Sequence, residues 1–164
     1  MTTLTHWIDK ALSTLLIALM GLMVLVVTWQ VVTRFLLPTP SSYTEELARF
    51  LLIWIGVLGS SYALRTRAHL GIDILSTKLI GKQKDALTVS ICLLVILFAT
   101  LIMLIGGIKL VMLTFSLEQT SAALGIKMGY IYSVLPLSGL LMIYYSIQFI
   151  LETRASSTEK GGIS

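Results

Sequence analysis

Charge is what this chain has least of. Lys and Arg supply 12 of its 164 residues and Asp and Glu supply 8, so 12% are charged, about half of the roughly 25% usual in a soluble domain. The charges are clustered, which leaves uncharged runs of about 20 residues, long enough to cross a bilayer. With 56% hydrophobic residues and a mean hydropathy of +0.92, the chain reads as an integral membrane protein. Thiols are almost absent. The single Cys92 allows no intrachain disulfide and no thiolate metal motif, and it fits a small packing residue in an apolar run. Histidine is equally scarce. His6 precedes the first apolar segment and His69 falls in a loop, so the helices offer no axial haem ligand. No H-E-x-x-H helix, P-loop or nucleophile elbow is present. A small proton-coupled exporter would want a carboxylate at mid-membrane, and every Asp and Glu lies near a segment end or in a loop. Lys109 and Glu118 come closest, near the far end of the third segment, where a long side chain can snorkel. No enzyme, cofactor or metal site is expected.

What is present is four apolar segments, over residues 11–36, 43–64, 86–109 and 130–151. Each must satisfy its own backbone hydrogen bonds in lipid and is therefore a helix, and the continuous apolar runs lack the alternation of a membrane barrel. The expected fold is all-α, with four transmembrane helices in a single membrane domain. The first run is too long for a cleaved signal and has no cleavage site after it, so it reads as a retained helix. Lys and Arg set the orientation. The loop between the second and third helices carries Arg65, Arg67, Lys78, Lys82 and Lys84, and the termini add Lys10, Arg154 and Lys160, against Arg34, Arg49, Lys109 and Lys127 on the other side. Both termini and the central loop are expected in the cytoplasm. Within that loop Ile72, Leu75 and Leu79 share a helical face, which predicts a short amphipathic helix over 70–81 lying on the membrane surface.

The stretch "PSSYTEELARFLLIWIG", Pro40 to Gly56, puts charges at the mouth of the second helix. Ser42 and Glu45 have the spacing of a capping box, both carboxylates fall in the first turn where the helix dipole favours them, and Glu45 and Arg49 are four apart in the favourable order. Arg34 ends the first helix at a similar depth. Arg34, Glu45, Glu46 and Arg49 are expected to gather near one interface, either as a capped helix start with snorkelling arginines or as a cluster that locks the outer ends of the two helices and shapes a surface that meets a partner. Gln30 shares a face with Arg34 and is expected to reach toward a neighbouring helix or Arg34 and not toward lipid. Gly56, Gly59, Ser60 and Ala63 make a small-residue face of the kind that lets membrane helices approach closely. Gly125 and Gly129 have that spacing across a loop. Pro136 removes a backbone bond from the fourth helix. Trp7, Trp29, Trp54, Tyr130, Tyr132, Tyr144 and Tyr145 lie mostly toward segment ends, as interfacial anchors do. Helix-packing features without a polar pathway describe a subunit that works beside a larger partner.

The segment from Trp29 to Asp73, with Arg34, Glu45-Glu46-x-x-Arg49, Trp54, Gly59 and Arg67-x-His69-x-x-x-Asp73, resembles the small membrane subunit, the Q subunit, of tripartite ATP-independent periplasmic (TRAP) transporters. "SAALGIKMGYIYSVLPLSGLLM", Ser121 to Met142, is similar to that family's approach to its fourth helix. The resemblance implies a four-helix accessory subunit in the bacterial inner membrane. It packs against the static part of a large M subunit, which carries sodium ions and an organic acid such as a C4-dicarboxylate or sialic acid. A periplasmic P protein delivers that substrate. Expected partners are thus M, P and membrane lipids, not nucleic acid. The alternative from the residues alone is a membrane anchor of another complex, such as a redox enzyme.

Overall fold

A computed structural model of the chain describes residues 3–36, 41–66 and 82–161. The predicted surface helix, and with it Arg67, His69 and Asp73, lies outside the described residues. Helix α1 spans Thr3–Leu36 and α2 spans Ser42–Arg65. The third span is α3 (Lys82–Phe98), a π-helical stretch (Ala99–Gly106) and α4 (Gly107–Ser116). The fourth span is α5 (Met128–Tyr132) followed by α6 (Val134–Gly161). Among the described residues, four helices are thus long and apolar enough to cross a membrane. At 1.5 Å per residue, even the 24-residue α2 covers about 36 Å, more than a hydrocarbon core of about 30 Å.

These spans form an open row, not a closed bundle. At backbone range α1 lies beside α2, α2 beside α1 and α6, and α6 beside the third span. Burial follows this order. The most apolar window of the first span is 11% buried, and that of the fourth span is 39% buried. The covered side of α1 is one seam, on which Leu12, Leu16, Leu19, Met23, Val26 and Gln30 recur at alternating steps of four and three, the repeat that keeps two helices in register along their length. Val26 packs there against Ala48 and Leu51 of α2. Gln30, half-buried, stands on this seam. The helix begins earlier than its apolar run, because Thr5 and Asp9 continue the same seam. His6 is therefore an exposed residue within α1, not one that precedes it.

The third and fourth spans are drawn together by glycines. A Cβ on Gly139 would sit 3.0 Å from Cβ of Met103 and 3.3 Å from the Ala99 carbonyl and the Leu104 nitrogen, all in the π-helical stretch. Gly107, just beyond that stretch, lies equally close to Pro136, with 3.0 Å between its missing Cβ and the proline Cδ. Pro136 also accounts for the division of the fourth span. It lacks the N–H that the Tyr132 carbonyl would accept, and its ring crowds that carbonyl, so α5 ends at Tyr132 and α6 starts two residues later.

Candidate functional site

The charges at the start of α2 do not form the expected four-membered cluster. Ser41, not Ser42, occupies the N-cap, and no side chain caps the helix. Glu45 pairs with Arg49 at 3.3 Å, and both side chains are more than 60% exposed. Such a pair is worth about 0–1 kcal/mol. Arg34 is exposed and makes no ion pair among the described residues. Glu46 turns the other way, toward the loop that joins α4 to α5.

That loop, residues 117–127, is built around the Glu46 carboxylate. The Ser121 hydroxyl and the Ala123 and Leu124 N–H groups donate to Oε2, and the Ala122 N–H donates to Oε1, each at 2.9 Å. Three successive N–H groups can converge because residues 121–125 make a single turn, closed by a bond from the Gly125 N–H to the Ser121 carbonyl. Gly125 sits at φ +65°, a conformation open to glycine without a Cβ penalty. The turn is held at its base by bonds from the Ser121 N–H to Ile126 and from the Met128 N–H to Gln119, across an antiparallel bridge between Thr120 and Lys127. These donors have no helix of their own to satisfy them, and the carboxylate supplies the acceptors. Gly129, at the far edge, lets the Phe115 ring close down on the α5 backbone, where a Cβ would meet the ring at 2.5 Å. Phe115 meets Tyr130 edge to face, 5.2 Å between centroids. Gly125 and Gly129 thus have separate tasks and are not a helix-pairing motif.

Two further polar joints lie along α2. Deep in the span, the Ser61 and Ser138 hydroxyls are 2.6 Å apart and fully buried, and Ser138 donates to the Val57 carbonyl at 2.8 Å. At the opposite end from the loop, Arg65 Nε donates to Asp9 Oδ2 at 2.9 Å, and the Tyr145 hydroxyl donates to Asp9 Oδ1 at 2.8 Å. The Arg65 guanidinium also stands 5.9 Å from the Tyr145 ring centre. Thr5 bonds the Tyr144 hydroxyl at 2.9 Å. This knot ties α1, α2 and α6. Tyr145 is thus a buried linker and not an interfacial anchor, whereas Trp7, Trp29 and Tyr130 are exposed. Asp9, Ser61, Ser121 and Ser138 escaped the sequence reading, since a lone serine in an apolar run carries no signal of what it faces. Trp54 packs against the buried cluster around Leu58. The small-residue face behaves differently: a Cβ on Gly56 or Gly59 would meet nothing within 4 Å. That face is open, with Leu52 and the Glu45–Arg49 pair continuing it.

The family model described as tripartite ATP-independent periplasmic transporters, DctQ component, matches residues 23–155. The chain is 30% identical over 139 residues to the sialic acid TRAP transporter small permease protein SiaQ of Vibrio cholerae, covering 82% of this chain and 76% of that protein. It is 38% identical over 79 residues to a putative TRAP transporter small permease protein of Haemophilus influenzae, covering 48% of this chain and 49% of that one. With the sialic acid TRAP transporter permease protein SiaT of Haemophilus influenzae it shares 29% identity over 145 residues, which are 88% of this chain and 22% of the longer protein. The matched region contains both stretches that Glu46 draws together, so the chain, a multi-pass membrane protein, belongs to the DctQ component family of tripartite ATP-independent periplasmic transporters.

Proposed function

We propose that this chain is the accessory membrane subunit of a sodium-driven, binding-protein-dependent TRAP transporter for an organic acid. It resides in the bacterial inner membrane with both termini in the cytoplasm and is not an enzyme. The open row of helices carries this reading. A chain that leaves all but one seam of its first span uncovered, and the Gly56–Gly59 positions of α2 vacant, has surface for a large membrane partner. That partner is the M-type transport subunit. The SiaT relative supports it, since there the matching stretch is 22% of a longer permease protein. Two of the relatives are named for sialic acid, which makes sialic acid the first substrate to try and C4-dicarboxylates the second. Glu46, by holding the loop over residues 117–127, gives the periplasmic end of this subunit a set shape beside M and the P-type binding protein.

Reconstitution tests the reading. Proteoliposomes holding this chain and the large subunit should take up sialic acid on a sodium gradient only when the binding protein is added outside. Vesicles with this chain alone should take up none. Uptake by the lone chain would refute the accessory role.

A further inference from the structure

The outer ends of the third and fourth spans form a unit of their own. Residues 107–132 fold back as a hairpin of α4, the loop and α5, and its two arms are fastened to each other. Phe115 closes on Gly129 and meets Tyr130 edge to face. The Ser121–Ile126 and Met128–Gln119 backbone bonds cross the loop at 2.8 and 2.9 Å. Both arms are interrupted where they leave this unit. In the third span the π-helical stretch ends at Gly106, and Gly107 follows. In the fourth span Pro136 supplies no N–H, and a bond across the break, from the Leu137 N–H to the Ser133 carbonyl, is long at 3.4 Å. The two interruptions lie side by side, since the missing Cβ of Gly107 would stand 3.0 Å from the Pro136 Cδ. Below them the base is fixed: Gly139 packs on the π-helical stretch, and Ser138 bonds Ser61 and the Val57 carbonyl of α2. Above them, among the described residues, the hydrogen bonds from the hairpin to α2 all end on the Glu46 carboxylate.

We propose that this hairpin is a hinged flap, with Gly106, Gly107 and Pro136 as its pivot and Glu46 as its latch. Hinges are a few element-end positions that absorb a backbone change, often small residues. Sharp bends in helices gather at prolines, at small-residue pairs and at π-helical turns, and all three occur here at one depth. A break in one arm alone would leave the other arm to hold the hairpin straight. Two breaks at one level let both arms turn together, and the bonds between the arms keep the flap rigid as it turns. The latch is a single side chain whose four charge-assisted bonds are made and lost as a set. The outer end of the chain thereby has a latched and an unlatched shape, while the spans below keep their packing.

The test uses the full chain in lipid nanodiscs, with Cys92→Ala so that nitroxide labels attach only where they are placed. One pair, Phe35→Cys on α1 and Lys127→Cys on the flap, puts labels at exposed positions and reports the swing as pulsed electron-spin distances. A second pair, Phe35→Cys and Leu140→Cys, lies below the pivot. Glu46→Gln keeps the size of the side chain and removes the charge. It should widen the Phe35–Lys127 distance distribution about twofold, as an unlatched state becomes populated, and leave the Phe35–Leu140 distribution as in wild type. Amide hydrogen exchange at Ala122, Ala123 and Leu124 should quicken at least about tenfold, while Ser121 and Met128, bonded within the flap, stay within about twofold. Adding Gly106→Ala should narrow the Phe35–Lys127 distribution again, because it removes glycine's freedom at the pivot. The added Cβ has ordinary room, 3.6 Å from the Leu101 carbonyl oxygen. An unchanged Phe35–Lys127 distribution in Glu46→Gln overturns the proposal and leaves the carboxylate serving the loop alone. Widening with lost protection at Ser121 and Met128 also overturns it, since the loop then unravels and does not swing. So does widening of the Phe35–Leu140 pair, or a Gly106→Ala variant that narrows nothing.

Discussion

The knot of Asp9, Arg65 and Tyr145 is where a single side-chain change should cost most. It ties α1, otherwise held by one seam, to both α2 and α6. The Arg65 and Asp9 side chains are 11% and 25% exposed, so the pair lies between an exposed pair worth about 0–1 kcal/mol and a buried one that costs about 3–5 kcal/mol to break. About 2 kcal/mol is a fair middle value for the ion pair. Asp9→Ala also leaves the Tyr145 hydroxyl, on a residue 1% exposed, without its acceptor, which adds about 1 kcal/mol at the low end for an orphaned polar group. The total of about 3 kcal/mol should lower the unfolding temperature of a chain this size by about 6–12 °C. Arg65→Met should cost less, because a methionine keeps much of the apolar packing. In the double variant Asp9→Ala/Arg65→Met the loss should fall short of the sum by about 1–2 kcal/mol, since both single changes break the same ion pair. Thermal unfolding of the purified chain in a lipid-like detergent, followed by circular dichroism, measures all four proteins of the cycle. Additivity within about 0.5 kcal/mol, as for independent sites, would show that the pair does not hold the three helices together.

Three further outcomes are expected. Reporter fusions at Gln83 and Thr120 should report cytoplasm and periplasm respectively, and periplasmic activity at Gln83 would reverse the orientation drawn from Lys and Arg. Gly139→Leu should destabilise the isolated chain by at least about 1–3 kcal/mol, the usual cost of overpacking, because its side chain meets the π-helical backbone. Gly59→Leu should leave the isolated chain's unfolding temperature unchanged, because nothing lies within 4 Å, but should lower the yield of complex with the large subunit. The reverse pattern would place the partner on the other face.

The row arrangement explains why the four spans bury so little of themselves. In water this exposure would be an aggregation hazard. In lipid, apolar side chains gain nothing by leaving acyl chains for each other, so association rests on close packing and hydrogen bonds. The joints here are of those two kinds: close contacts made at Gly107, Gly129 and Gly139, and polar links at Glu46, Ser61–Ser138 and Asp9–Arg65–Tyr145.

By itself the sequence determined that the chain is all-helical and membrane-spanning, because apolar run length and backbone satisfaction in lipid leave few choices. It also singled out Glu46 as one of two carboxylates at the start of α2, and Pro136 as the loss of one backbone bond in the fourth span. What it could not determine is direction. Glu45 and Glu46 are adjacent, yet successive residues on a helix point about 100° apart. One carboxylate therefore takes Arg49 and water, and the other takes three backbone N–H groups more than 70 residues away. The glycines divide in the same way: Gly56 and Gly59 look like packing positions in the sequence and are vacant, while Gly107 and Gly139 look ordinary and are in contact. Small size permits a close approach without naming the partner. Only the tertiary structure decides which helix arrives, because that depends on side chains from segments far apart in the chain fitting one another at the same depth.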